Sequence, residues 1–166
     1  MRQRMQWSRL KKMLEARAGD SLRPRLQIHL TRYGSREAAS RLWVLLDREP
    51  IFSTCDHKGR PEGEDESCWT FKSGRAHSCL YWSSFYGTYG CEVALRDYLN
   101  YSIDEALLSP HPLSRALSVF DSRLGKRRLA SPQVLAALAG DAPLPRHFYA
   151  LRCQAEGIAV AEPGPN

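Results

Sequence analysis

The chain has 166 residues, of which 43% are hydrophobic and 25% are charged, and its formal net charge is +6. These fractions are typical of a globular protein, and at this length we predict a single domain, residues 1–166, with a sizeable core. No apolar run approaches the roughly 20 residues of a membrane span, and no signal-peptide pattern follows the basic start. We therefore expect a cytoplasmic protein with no membrane partner, in which the five cysteines are mostly reduced thiols.

The N-terminal residues predict a helix. Residues 1–5 are interpreted as a lead-in, with Met5 as an alternative start. Residues 7–18 have apolar side chains at helical spacing among basic ones, and Gly19 is the predicted end of this helix.

An antiparallel sheet is predicted next. Residues 25–33 alternate between apolar and polar side chains, as in a half-buried strand. Residues 42–47 are apolar on both alternating sets, which predicts a central strand. A turn at 47–50 then leads to a returning strand at 51–55.

The middle of the chain is less regular. Residues 56–67 form an acidic, Gly- and Pro-containing stretch that predicts an exposed loop. Residues 68–72 are a candidate fourth strand. The aromatic-rich residues 73–90 do not discriminate between strand and helix, and residues 92–100 have helical spacing.

The clearest pattern in the chain lies between Ser102 and Leu129. Ser102 and Glu105 make a capping box that starts a short helix. Pro110 or Pro112 starts the next helix, whose apolar residues up to Leu124 share one face. Gly125 is predicted to end that helix in the left-handed region, with Lys126, Arg127 and Arg128 beside the helix carboxyl end.

Two more helices complete the predicted fold. Ser131 and Pro132 open one that reaches Ala139, and residues 145–156 form the last, which Gly157 ends. Residues 158–166 are interpreted as a tail. The predicted class is α+β: an antiparallel sheet of three to four strands packed with an N-terminal helix and about four C-terminal helices.

Charge is unevenly distributed along the chain. Residues 1–48 carry 12 basic and 4 acidic side chains, and residues 114–129 carry 5 basic and 1 acidic. Such segments attract anionic partners. The densest cluster, Arg123, Lys126, Arg127 and Arg128, is a candidate anion site, although neutralisation of the helix carboxyl end explains the same residues.

Three polar residues of the first strand are a second candidate ligand site. His29 and Tyr33 face one way and Arg32 the other, so the three converge only if the strand bends. A His–Tyr pair can act in acid–base chemistry. The alternative interpretation is the polar face of a half-buried strand.

Two further patterns have weaker links to chemistry. Cys55, His57, Cys68, His77 and Cys79 could bind zinc, but their spacing is not that of zinc knuckles, so no metal or other cofactor is predicted. Gly19-Asp20-Ser21-Leu22 resembles the serine motif of an esterase family and that of carrier proteins. Since neither the flanking elements nor a later D-x-x-H motif is present, we interpret it as a helix end and turn.

Several longer segments resemble one protein family. They are MQWSRLKKMLEA (5–16), QIHLTRYG (27–34), EPIFSTCD (49–56), 94–117, FDSRLGKRRL (120–129) and HFYALRCQAEGI (147–158). Together they resemble a family of short uncharacterised bacterial proteins catalogued after an enteric open reading frame. The resemblance implies no established activity. It implies that the residues to test first are His29, Arg32, Tyr33, Arg123, Gly125, Lys126 and Arg128.

Three functions are consistent with the sequence. The first is a non-enzymatic binding or regulatory module for a protein or anionic ligand, because no complete catalytic motif is present. The second is a nucleic-acid or phosphate-ligand binder that uses residues 123–128 and the basic N-terminal helix. The third is a small enzyme or zinc protein that uses His29 and Tyr33 or the Cys55–Cys79 region.

Overall fold

The computed structural model describes residues 6–31, 41–54, 68–72, 75–79, 87–139 and 143–160. The strands in these ranges are β1 (Leu26–Thr31), β2 (Arg41–Leu46), β3 (Glu49–Ser53), β4 (Cys68–Lys72) and β5 (Arg75–Cys79). The helices are α1 (Trp7–Arg17), α2 (Thr88–Tyr98), α3 (Ile103–Leu107), α4 (Pro112–Phe120), α5 (Lys126–Leu129), α6 (Pro132–Leu138) and α7 (Pro143–Glu156). The protein therefore has the α+β fold that the sequence predicts.

The first three strands form an antiparallel sheet in the order β1-β2-β3. As predicted, β2 is central, with Ile28 opposite Val44 on one side and Phe52 opposite Val44 on the other. All three of these side chains are buried in the larger core cluster. Helix α1 lies against the free edge of β1, where the Glu15 carboxylate accepts a hydrogen bond from the Ile28 N–H at 2.9 Å.

The turn between β2 and β3 is shorter than predicted. Leu46 pairs with Glu49, so the loop consists of Asp47 and Arg48 alone. Both residues have positive φ, 54° and 69°, which is the backbone of a type I′ hairpin turn. The predicted boundaries were wrong because Asp47-Arg48 is not the Asn-Gly or Asp-Gly pair that usually marks this turn.

The candidate fourth strand does not join this sheet. Residues 68–72 pair with 75–79 in a separate two-stranded antiparallel sheet, in which Cys68 is opposite Cys79. The first sheet thus has the three-stranded form of the prediction.

Helix α4 is the central element of the core. Eight of its nine residues are buried. Leu113, Leu117 and Phe120 belong to the cluster that α4 shares with the sheet, α1 and α2, while Val119 belongs to a second cluster with α6 and α7. Phe120 also stacks on Phe148 of α7, with ring centroids 4.6 Å apart.

The predicted end of this helix was wrong. Helix α4 ends at Phe120, and Gly125 is extended (φ −66°, ψ 159°) and precedes the one-turn helix α5. Lys126, Arg127 and Arg128 therefore open a helix rather than follow one. Leu124 is buried as expected, but from a turn, because the Asp121 side chain accepts the Arg123 N–H and supports a chain reversal there.

Helix α1 ends at Arg17 and is followed by an extended Ala18, so Gly19 does not cap it as predicted. Three other predicted helix boundaries are confirmed. The Ser102–Glu105 capping box is present, with both reciprocal hydrogen bonds. The Ser131 hydroxyl accepts the Val134 N–H at the start of α6. Gly157 (φ 67°) follows α7, and the Ile158 N–H reaches the Cys153 carbonyl, which is a Schellman ending.

Within the described ranges, no helix combines the length and the apolar character needed to cross a bilayer. The lead-in at 1–5, the acidic loop at 56–67 and most of the tail at 158–166 lie outside the described residues.

Candidate functional site

The two basic segments of the sequence meet where the chain leaves α1 and α4. Ala18 and Asp121 form an isolated antiparallel bridge. On either side of it, the Gly19 N–H donates to the Phe120 carbonyl at 2.8 Å and the Ser122 N–H donates to the Arg17 carbonyl at 2.7 Å. We call residues 17–25 and 121–128 the basic junction.

A buried arginine of α7 holds one side of this junction. Arg152 is 3% exposed, and its guanidinium donates to the carbonyls of Val119, Asp121 and Leu124 and to the Glu156 carboxylate. A Cβ on Gly19 would lie 2.9 Å from the Arg152 guanidinium carbon. The glycine therefore permits the close packing of the α1 exit against this guanidinium.

The Glu156 carboxylate completes that arrangement. It accepts hydrogen bonds from the Ser21 hydroxyl at 2.6 Å and from Arg152 Nε at 2.9 Å. Lys126 Nζ lies 2.9 Å from its other oxygen. Glu156 thus connects α7 to both segments of the junction.

A buried carboxylate holds the other side. The Asp121 side chain has no exposed surface and accepts hydrogen bonds from the Tyr98 hydroxyl at 2.5 Å and from Arg123, whose Nη2 is 2.7 Å away. Arg17 donates to the carbonyls of Tyr98 and Leu99 and lies over the Tyr98 ring, 5.4 Å from its centroid. These contacts attach α2 to the junction.

The four basic residues predicted as an anion site have unequal roles. Arg123 pairs with Asp121 and donates to the Tyr101 carbonyl, Lys126 pairs with Glu156, and Arg128 pairs with Asp104. Arg127 is exposed, and no acidic side chain among the described residues pairs with it. Three of the four charges are thus partly neutralised within the protein.

His29 lies elsewhere. It is exposed on β1 and its Nε2 is 3.3 Å from Gln27 Oε1. Burial and the positive charge of Lys11 lower the pKa of His29, against the opposing charge of Glu15. No hydrogen bond or ion pair between described residues connects His29 with residues 123–128.

The remaining predicted site residues are not placed. Arg32, Tyr33, Cys55 and His57 lie outside the described residues, as do the side chains of Cys68, His77 and Cys79. Among the side chains that are described, no group of three or more His, Cys, Asp or Glu residues is arranged to hold a metal ion. The zinc alternative and the His29–Tyr33 pair remain predictions.

The pKa values of the two buried carboxylates of the junction, Glu156 and Asp121, lie below their ordinary values. Burial alone raises the pKa of Glu156, but hydrogen bonds from Ser21 and Lys126 and the charge of Arg152 hold it below its ordinary value. Burial also raises the pKa of Asp121, but the hydrogen bonds from Arg123 and Tyr98 outweigh this effect. The pKa of Asp121 is therefore lowered as well. A carboxylate with a lowered pKa is a weaker base than an ordinary one, so the arrangement does not favour activation of the Ser21 hydroxyl by Glu156.

Sequence reasoning missed the residues that build the junction. Arg152 and Glu156 are an i, i+4 pair on α7. This spacing could have predicted an ion pair between them, but it does not predict that the pair is buried. Gly19 and Ser21 were interpreted as a helix end and turn. Their contacts with α7 connect positions more than 130 residues apart along the chain, and local patterns do not encode such contacts.

The junction keeps a positive surplus after pairing. Residues 17–25 and 121–128 contain seven basic and two acidic side chains. With their partners Arg152, Asp47, Asp104 and Glu156, the total becomes eight basic against five acidic. Eight basic and five acidic side chains leave this set of residues with a formal charge of +3.

The comparisons with known proteins give a family and no activity. The model of the SF0329 protein family matches residues 6–153, and the chain belongs to this family. The match confirms the resemblance to an uncharacterised family. No match was found among curated proteins or solved structures.

Proposed function

We propose that this protein is a non-enzymatic binding module that recognises an anionic partner through the basic junction. The observation that supports the proposal is the meeting of the two basic segments at the Ala18–Asp121 bridge. Segments about 100 residues apart in sequence contribute cations to one place, and the surplus of positive charge remains after every pairing among the described residues is counted.

The construction of the junction also favours binding over catalysis. Its buried groups, Arg152, Asp121 and Glu156, are engaged by hydrogen bonds that hold loops together. Such groups give a rigid base on which exposed cations are presented. Rigid presentation lowers the ordering cost that a partner must overcome on binding.

Binding to a labelled polyanion at low salt tests the proposal, with Arg127→Glu as the informative variant. Arg127 has no acidic partner among the described residues, so the change removes a presented charge without breaking an ion pair seen in the structure. We expect affinity to fall about tenfold, which corresponds to about 1.4 kcal/mol. We also expect affinity in the unmodified protein to weaken steeply as salt rises.

Arg9→Glu is the matched control. Arg9 is exposed in the first turn of α1, about 12 Å along the helix from Arg17, and a carboxylate is well tolerated at a helix start. The proposal predicts a much smaller loss for this variant. Equal losses in both variants, or no measurable binding at low salt, contradict it.

A further inference from the structure

We infer that the partner is a nucleic-acid duplex, contacted through its phosphate backbone, and that the surface extends from the junction to Arg48 at the tip of the β2–β3 hairpin. The inference rests on the proposed function and names its partner class. We call Arg23, Arg25, Arg48, Lys126 and Arg127 the basic ridge.

Hydrogen bonds and an ion pair connect the three segments that carry the ridge, residues 21–25, 47–48 and 126–127. Arg25 donates to Asp47 through Nε and Nη2, at 2.9 and 2.6 Å, and the Asp47 N–H donates to the Arg25 carbonyl at 3.0 Å. These bonds fix the hairpin tip against the residues after α1. At the other end, Ser21 and Lys126 contact the same Glu156 carboxylate.

The members of the ridge are accessible. The side chains of Arg23, Arg25 and Lys126 are 47%, 38% and 66% exposed, and Arg48 and Arg127 are exposed residues. Arg48 and Arg127, at the two ends, pair with no acidic side chain among the described residues. Each end of the ridge thus carries an uncompensated charge.

The backbone of Arg48 is a second, independent observation. Its φ of 69° lies in the left-handed region, where a side chain with Cβ costs about 1 kcal/mol and Gly or Asn is favoured. Its neighbour Asp47 is explained by the bidentate bond to Arg25, whereas no hydrogen bond or ion pair among the described residues involves the Arg48 side chain. A strained residue whose side chain has no such partner is expected where that side chain serves an external contact.

The composition of the ridge favours nucleic acid over an acidic protein. Four of its five cations are arginines, and a guanidinium without an acidic partner among the described residues, as at Arg48 and Arg127, can contact phosphate in a bidentate manner. The large exposed apolar side chains of the described residues are Met13, Tyr89, Val93, Leu108 and Val160, and all of them lie outside the segments that carry the ridge, residues 21–25, 47–49 and 121–128. Protein interfaces have an apolar centre, whereas nucleic-acid interfaces are polar and strongly positive.

The same composition favours a duplex over a single strand. Proteins that bind single strands combine a positive groove with aromatic platforms on which bases stack. Among the described residues, no aromatic side chain makes a ring contact or a hydrogen bond with a member of the ridge; the cation–π contacts there involve Arg17 and Arg41. Contact is therefore expected with backbone phosphates and without sequence preference.

Fluorescence anisotropy with a duplex, a single strand of the same sequence and poly-glutamate tests the inference. We expect the duplex to bind tightest, independently of sequence. Arg48→Ala should weaken duplex binding by about three- to tenfold and reduce the slope of log affinity against log salt by about 0.9, the value for one lost phosphate contact. Arg48→Lys should retain most of the affinity, since it keeps the charge.

The outcomes separate this inference from the proposed function. If Arg127→Glu weakens binding but Arg48→Ala does not, or if poly-glutamate or the single strand binds as tightly as the duplex, the inference fails and the proposed function stands. If Arg127→Glu weakens the binding of none of these polyanions, both the inference and the proposed function fail.

Discussion

The packing of Gly19 against Arg152 is the tightest single-residue constraint in the basic junction. In most surroundings a long arginine side chain moves aside for a new methyl group. Here the guanidinium is buried and is held by three carbonyls and a carboxylate. We therefore expect this position to tolerate no side chain.

Gly19→Ala should lower the free energy of unfolding by about 2 kcal/mol, the usual cost of inserting a methyl group into a packed site. Gly125→Ala is the matched control, because a Cβ at Gly125 meets nothing within 4 Å and its φ is −66°. That control should change the free energy by less than about 0.5 kcal/mol. Urea denaturation of both variants measures the difference, and equal values would show that Arg152 is free to move.

Asp121 contributes a pH-dependent part of the stability. Its pKa is lowered in the folded protein from the ordinary value of 3.8, because the hydrogen bonds from Arg123 and Tyr98 outweigh the effect of burial. A group with a lowered folded pKa stabilises the fold above its unfolded pKa, and this contribution is lost as the pH falls below it.

Asp121→Asn should lower the free energy of unfolding by about 3 kcal/mol at pH 7, since it leaves the Arg123 charge without its partner. The gap between the variant and the unmodified protein should narrow as the pH falls below about 3.8, where the carboxylate of the unfolded chain takes up a proton before that of the folded protein does. Urea denaturation across pH 3–7 measures the gap. A gap that stays constant over this range contradicts the role given to the ionised carboxylate.

At the scale of elements, the hairpin tip shows a conflict between turn geometry and residue type. The two-residue loop requires positive φ at Asp47 and Arg48. Asp47 adapts to this region comparatively well and gains its bond to Arg25, whereas arginine has neither advantage. The turn is therefore expected to be less stable than the same turn with glycine.

Arg48→Gly should raise the free energy of unfolding by about 1 kcal/mol relative to Arg48→Ala, because both lose the charge and only glycine relieves the backbone strain. Thermal or urea unfolding of the two variants measures the difference. We also expect both variants to lose duplex binding. The two results together would indicate that Arg48 serves a contact with the duplex and lowers the stability of the fold. Equal stability of the two variants would show that the backbone at residue 48 is not strained.

The elements also show what the sequence can and cannot predict. Helix α4, the central strand β2 and the Ser102 capping box follow from local periodicity and capping chemistry, and each is confirmed. The end of α4 was wrong because a glycine followed by basic residues fits both a helix end and the start of a new turn. The actual end depends on Asp121. Its side chain accepts hydrogen bonds from Tyr98, which is distant in sequence, and from Arg123, which is two residues away.

At the scale of the whole molecule, α4 organises the core and the basic junction organises the surface. Both clusters of buried side chains contain α4 residues. The chain that leaves α4 then meets the chain that leaves α1, and α7 fixes both through Arg152 and Glu156. The candidate site was predictable only in part: its cations were visible as two charged segments, but their proximity depends on this tertiary arrangement.

The most direct test of the account is a map of the binding surface by amide chemical shifts of the ¹⁵N-labelled protein, titrated with a short duplex at low salt. The account predicts that the largest shifts fall on residues 21–25, 47–49 and 123–128, and that they are reversed by added salt. Residues 88–98 of α2, which carries the exposed Tyr89 and Val93, should shift little. Shifts concentrated on α2, or no shifts at any residue, would contradict the account.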